Sequence, residues 1–328
     1  MAGNTTSITD VHPDIIRTHI LTRLDGPTLA STSSASSHLH SLSSEDKLWR
    51  EICNSTWPST IDPLVRATIS SFPSGHRSFF CDAFPAFRHL SRPSQPNRHP
   101  GPSILELISA IDVHYKNKLV FSQAHVTETV TGWFQFSPLR VDLLDYKETV
   151  QTPVKFSGDE ETCRADLEEH MSLSWILIDP TNKRAVNLSS LRPVSVLHHW
   201  LTGDFQVRYA TILAGDFNGD RSELLQCSVV VTCGGEEGGE LQVKEVSMQV
   251  EDMDGKILNG KDSLVILQEA MESERGKRGQ ERERYEEFLE MRRERRVKKQ
   301  RRERRLDMVF TATAISIFLA FWSFVLLR

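Results

Sequence analysis

The sequence predicts an α+β chain in four pieces: a small helical N-terminal region, a central antiparallel β-rich domain, a charged helical stalk and a single C-terminal transmembrane helix. Three observations predict it. Near the N-terminus Ile16, Ile20 and Leu24 recur every four residues, the spacing of one helix face. Residues 104–260 are dense in Val, Thr, Phe and Trp, with stretches of apolar/polar alternation, the pattern of half-buried strands. Met308–Leu327 is a run of 20 residues without a charge. A helix of that length spans about 30 Å, the thickness of a bilayer's hydrocarbon core.

Residues 1–10 read as a polar leader; MAGNTTSITD has no apolar segment of a secretory signal. Residues 11–53 read as short helices. Pro13 and Asp14 suit a first turn, and Leu21 sits beside the four-residue apolar repeat. Asp25-Gly26-Pro27 breaks this helix and starts another. In the serine-rich stretch that follows, Leu29, Leu39, Leu42, Leu48 and Trp49 leave a linker and small packed helices as competing readings. Residues 54–103 are proline-rich and read as an irregular connection; the aromatics Trp57, Phe72, Phe79 and Phe80 imply that its first part packs, and SRPSQPNRHPGPS at its end reads as an exposed linker.

Residues 104–270 form the β-rich domain. LVFSQAHVTETVTGWFQF, LSWILID, FQVRYATIL, LLQCSVVVTC and VSMQVED are its expected strands, with turns at Gly234-Gly235 and Asp254-Gly255. No βαβ alternation or glycine-rich phosphate loop occurs, so an antiparallel sandwich or an α+β arrangement is expected. Trp133, Phe134, Trp175, Trp200 and Tyr209 are its large aromatics, each expected in the core before an interface. Residues 271–307 read as a solvated helical stalk, helped by the i,i+4 pairs Glu274–Arg278 and Glu294–Lys298.

Immediately before the uncharged run stand ten cations: Arg292, Arg293, Arg295, Arg296, Lys298, Lys299, Arg301, Arg302, Arg304 and Arg305. Cations flanking a span stay on the cytoplasmic side. The sequence therefore predicts a single-pass tail anchor with the body in the cytosol, on the endoplasmic reticulum or another organelle surface. The same block resembles a nuclear-import signal or a patch for anionic lipid, but beside a span topology is the simpler account. Without residues 291–306 and the last 22, the chain holds 28 basic and 41 acidic residues, a net charge of −13. A body that acidic argues against a nucleic-acid partner.

A search for chemistry gives little. GxSxG, HExxH and P-loop signatures do not occur. DFNGDRSE places Asp216, Asn218 and Asp220 at the first, third and fifth positions of a calcium loop. Arg221 stands where that loop needs glycine and Cys227 where it needs glutamate, so a β-turn is the better reading. His198-His199 before Trp200 reads as packing. Cys53, Cys81, Cys163, Cys227 and Cys233 are expected as free thiols, the last pair on one face of a strand. Neither a metal nor a cofactor is expected, nor a catalytic residue. Asn4, Asn54 and Asn187 head glycosylation sequons, which a cytosolic body leaves bare.

The helical region resembles an F-box. Pro13, Ile16, Ile20, Leu21, Leu24, Leu29 and the closing Leu48-Trp49 match that family's pattern; His12, Ile15 and Arg17 depart from it at its leading leucine, its acidic position and an apolar position. Further on, SWILIDPTNKRAVNLSSLRPVSVLHHWLTGDFQVRYATIL and EVSMQVEDMDGKILNGKDSLVILQ resemble the shared C-terminal region of a plant F-box protein group, some of whose members end in an apolar tail. The resemblance implies a three-helix F-box that docks on a Skp-family adaptor, and through it a cullin, using the eight matching residues. It implies a non-catalytic, substrate-recognising subunit of a ubiquitin ligase, with an unknown protein substrate. The physical reading agrees, because about 40 residues in three helices bury their apolar side chains only partly; Ile16, Ile20, Leu24 and Trp49 are expected to lean on a partner's groove. Two alternatives stay open: a membrane-anchored binding or scaffold protein without ligase function, and a membrane-bound enzyme using His198, His199 or Asp216.

Overall fold

The computed structural model describes residues 11–84, 104–145, 147–156, 159–216, 222–236, 238–272 and 281–327. The chain is α+β, and its layers stack in the order helices, four-stranded sheet, six-stranded sheet, single long helix.

The first layer begins with α1 (Pro13–Ile15), which runs on as a π turn (Ile16–Ile20) and a 3-10 turn (Leu21–Arg23). Then come α2 (Gly26–Thr32), α3 (Ser37–Ser43), α4 (Asp46–Thr56), a 3-10 turn (Pro58–Ile61), α5 (Pro63–Ser70) and α6 (Gly75–Ala83). The serine-rich stretch is thus helical. So is the stretch up to Ala83 that the prolines mark as irregular. Pro13, Pro27, Pro58 and Pro63 all occupy first turns, where the missing N–H costs nothing and the fixed φ suits the helix. Asp25, Ser36 and Asp62 cap the helices that follow them. Gly26 is required by close approach: a Cβ there would meet the Phe80 ring at 2.0 Å. The expected linker at 91–103 lies outside the described residues.

The four-stranded sheet has the order β2 (Lys118–Glu128), β1 (Glu106–Tyr115), β5 (Met171–Asp179), β6 (Arg184–Asn187). The six-stranded sheet has the order β3 (Arg140–Asp142), β10 (Glu240–Glu251), β9 (Ser222–Gly234), β8 (Phe205–Asp216), β7 (Ser195–His198), with β4 (Val150–Lys155) also on β10. All pairings are antiparallel. One expected strand is shorter than predicted: β2 stops at Glu128, and α7 (Gly132–Phe136) replaces its continuation. A short helix, α8 (Glu160–His170), precedes β5, and α9 (Gly260–Glu272) follows β10.

The pleat sorts the side chains between layers. Ile111, Val113, Leu173, Trp175 and Leu177 face Val207, Tyr209, Val229, Val231 and Met248 across the sandwich. Alternate residues Ile108, Ala110, Ile176 and Ile178 face the helical layer and share its core with Trp49, Trp57, Phe79 and Phe80. Trp57 Nε1 donates to Ser174 Oγ at 3.2 Å across the same boundary. The five cysteines are free thiols. Burial pushes Cys227 and Cys233, inside the sandwich, up to about 12.

The fourth layer is α10 (Glu281–Leu326), a single helix of 46 residues. Its base is exposed over most of its circumference, but one face is covered. Tyr285 packs on Val194 and Ala210, on the outer face of the six-stranded sheet, and Phe288 is fully buried. Arg282 pairs with Glu168, Arg292 with Glu251, and Arg295 and Lys299 with Asp254. Residues 285, 288, 292, 295 and 299 repeat at three and four, so one helix face docks. Glu274 and Arg278 lie outside the described residues; the Glu294–Lys298 pair forms at 3.3 Å.

Candidate adaptor-docking surface and apolar tail

The eight motif residues divide between interior and surface. Ile16, Leu21, Leu29, Leu48 and Trp49 are buried in the chain's own core, Ile16 and Trp49 with no exposure at all. The Trp49 indole donates to the Ser43 carbonyl at 2.7 Å. Ile16 and Trp49 therefore await no partner; the four-stranded sheet and α6 complete the burial that three helices alone lack. Pro13 is exposed, Ile20 is 39% exposed and Leu24 is half-buried. Ile16 is buried and Ile20 partly exposed, although they are four apart. The segment is a π turn followed by a 3-10 turn, so the regular 3.6-residue period does not run through it.

The three departures from the motif have local roles. The His12 ring accepts the Asp14 N–H at 3.3 Å and so caps the first turn. Arg17 pairs with Asp14 at 3.2 Å and with Glu45 at 2.7 Å, tying the first helix to the start of α4. Ile15, half exposed, widens the apolar surface beside Pro13 and Ile20. The sequence pattern passes over Ile15 because the motif expects an acid there.

Asp46 fastens α4 to α6. It accepts the His76 backbone N–H at 2.9 Å, and its carboxylate lies 2.9 Å from His76 Nδ1. Burial acts to raise this carboxyl, but the bonds from His76 and Arg50 outweigh it and hold it below its ordinary value of 3.8.

At the other end of the chain, α10 carries the uncharged run with no side chain buried. Its four hydroxyls bond inward: Thr311, Thr313, Ser316 and Ser323 each donate to the carbonyl four residues back at 2.8 Å. That leaves a cylinder whose outer surface is apolar on every side. The helix is long and apolar enough to cross a bilayer by length and composition. Of the ten cations, Arg292, Arg295 and Lys299 hold the sandwich and Lys298 pairs within the helix. Arg293, Arg296, Arg301, Arg302, Arg304 and Arg305 are exposed.

The residues of the enzyme alternative are placed as follows. His198 lies 3.0 Å from Glu160 and packs on Phe205. His199 meets the Thr202 hydroxyl at 3.2 Å. Asp216 ends β8, and residues 217–221 of the calcium-like stretch lie outside the described residues. Among the described residues no group of three or more His, Cys, Asp or Glu could hold a metal. Asn187, the last residue of β6, is buried, as are Leu188 and Ser189 of its sequon, so a glycan there is incompatible with the fold. Of the large aromatics, Phe134, Trp175 and Tyr209 are core, while Trp133 and Trp200 are 83% and 85% exposed.

Comparison with known proteins gives three relatives in Arabidopsis thaliana. F-box protein At2g27310 is 47% identical over 285 residues, covering 83% of this chain and 81% of that protein. F-box protein At3g44326 is 46% identical over 280 residues, covering 83% and 76%. Probable F-box protein At2g36090 is 50% identical over 276 residues, covering 82% and 78%. No protein-family model matches the chain, and no solved structure matches it. Identity at this level across four-fifths of the chain and of its relatives shows the family: the chain belongs to the F-box protein family.

Proposed function

We propose that this chain is the substrate-recognition subunit of a Skp–cullin–F-box ubiquitin ligase, held to a membrane by the apolar end of α10 with its body in the cytosol. The observation that carries the ligase reading is its similarity to F-box proteins along most of its length. The helical layer supports it by setting Pro13, Ile15, Ile20 and Leu24 on a rigid base for an adaptor's groove. Ile16, Leu21, Leu29, Leu48 and Trp49 act by holding that surface in shape. The chain then supplies proximity, not chemistry: the ubiquitin thioester sits on a partner enzyme, and a target bound by the sandwich meets it at raised effective concentration.

The anchor reading rests on the uncharged, unburied run and the exposed cations before it. The proposed domains are the leader 1–10, F-box 11–53, connecting region 54–103, recognition domain 104–270, stalk 271–307 and span 308–327. The test is co-purification of the full chain with its Skp adaptor and cullin from membranes. Recovery of both supports the ligase. Recovery of the chain in membranes without adaptor leaves the scaffold alternative.

A further inference from the structure

The six-stranded sheet has two ends, and its two most exposed tryptophans lie at opposite ones. Trp200 is in the loop joining β7 to β8, at the end where Phe205 pairs with Cys233. Trp133 is on α7, at the end where β10 finishes. Ser137 accepts from Gly260 N–H at 3.1 Å, Leu139 N–H donates to Leu258, and Leu258 N–H donates to Val250. That second end is also where α10 leaves the body. Its Tyr285 packs on β8, its Arg292 reaches Glu251 at the end of β10, and Lys299 reaches Asp254 in the turn beyond. The helix thus crosses the sheet obliquely toward the edge that α7 covers.

Around α7 lies an apolar patch with no cover among the described residues. Trp133 and Phe136, three apart, share the outward side of the helix at 83% and 79% exposure, while Phe134 turns into the core. Val130 and Leu105 are exposed beside them, joined through the Thr129 bonds to Ile104 and Leu105. From Lys299, the last contact of α10 with the turn, to Met308 there are nine residues, about 14 Å of helix. The headgroup zone takes up about 5–8 Å of that height. Arg301, Arg302, Arg304 and Arg305 fill the same interval and favour anionic headgroups. Glu106 and Glu128 lie at the sandwich side of the patch.

We propose that Trp133, Phe136 and Val130 form a second membrane contact, an interfacial foot that dips into the headgroup zone beside the span. Its occupant is the lipid surface. Indole and phenyl rings at a helix tip suit that zone. Two contacts, the span and the foot, fix the rotation of the sandwich about the span, so its Trp200 end points away from the bilayer. The inference rests on the anchor proposed above.

The test uses the full chain in vesicles of phosphatidylcholine and phosphatidylserine brominated near the headgroup, with tryptophan fluorescence as readout. Trp133→Phe is expected to remove about half of the quenched signal, because Trp133 and Trp322 are the two interfacial indoles. Trp322→Phe removes the other part, and Trp200→Phe removes none. Quenching at Trp322 with none at Trp133 overturns the foot and leaves the anchor standing. Absence of quenching at both overturns the anchor and the foot together. Quenching at Trp200 equal to that at Trp133 overturns the orientation.

Discussion

The Asp112 carboxylate accepts both the backbone N–H and the hydroxyl of Ser59, at 2.9 and 2.6 Å, across 53 residues of sequence. Ser122 donates to the same carboxylate at 2.7 Å. This cluster pins the helical layer to the outer face of the four-stranded sheet, and all of it but Ser122 is buried. Asp112→Ala strands the Ser59 N–H, and the chain should lose about 1–3 kcal/mol in denaturant unfolding. An unchanged midpoint would show that the two layers are not fastened there.

Ile20→Asp should weaken adaptor binding by about 2 kcal/mol or more, roughly thirtyfold, with the unfolding midpoint unmoved. Adding Leu24→Asp should deepen the loss. Trp49→Ala should abolish binding by another route, since emptying that buried site costs about 3–5 kcal/mol of fold stability. Calorimetric titration of the adaptor, run beside thermal unfolding, separates the two cases. Binding that survives Ile20→Asp and Leu24→Asp together would move the docking surface elsewhere.

Asp46 gives a pH dependence whose sign follows from its lowered carboxyl. The contribution is fully present above 3.8, the ordinary value, and is lost as pH falls through the lower value held in the fold. Asp46→Asn should therefore lower the melting temperature at neutral pH, and the gap from the unaltered chain should close on acidification below 3.8. A gap constant with pH would remove the ionised carboxylate from the account.

Phe288→Ala should release the base of α10 from the sheet. A loss of about 3 kcal/mol in local opening corresponds to about a hundredfold in amide-exchange protection over residues 281–299. The sandwich itself should keep its protection. Equal loss in both would mean that the helix and sheets open as one unit.

Removing residues 308–328 should move the chain from the alkaline-carbonate-resistant membrane fraction to the supernatant. The full chain should stay in the pellet. Full-chain protein in the supernatant would dispose of the span.

Strands β5, β8, β9 and β10 were legible because β-branched and aromatic residues mark them within turn boundaries. The first strand was harder. LISAIDV is apolar on both faces, since Ile108 and Ala110 meet helices while Ile111 and Val113 meet the sandwich, and a strand buried on both sides loses its period of two. Prolines misled in the other direction, because Pro58 and Pro63 start helices as readily as they stop them. The motif residues were identifiable, but not which of them face outward, because the sheet and α6 that bury Ile16 and Trp49 lie far along the chain. Tyr285 and Phe288 stand among charges in the sequence; with Arg292, Arg295 and Lys299 they form a docking face that is part apolar and part ionic.

The helix that begins at Glu281 runs without interruption to Leu326, so with the proposed anchor the sandwich would ride on a continuous mast and not on a tether. Two residues inserted between Gln300 and Leu306 would raise the head by about 3 Å and swing it by about 200°. The reach of the head is then set by register along the mast, and the targets within range would change with every added residue.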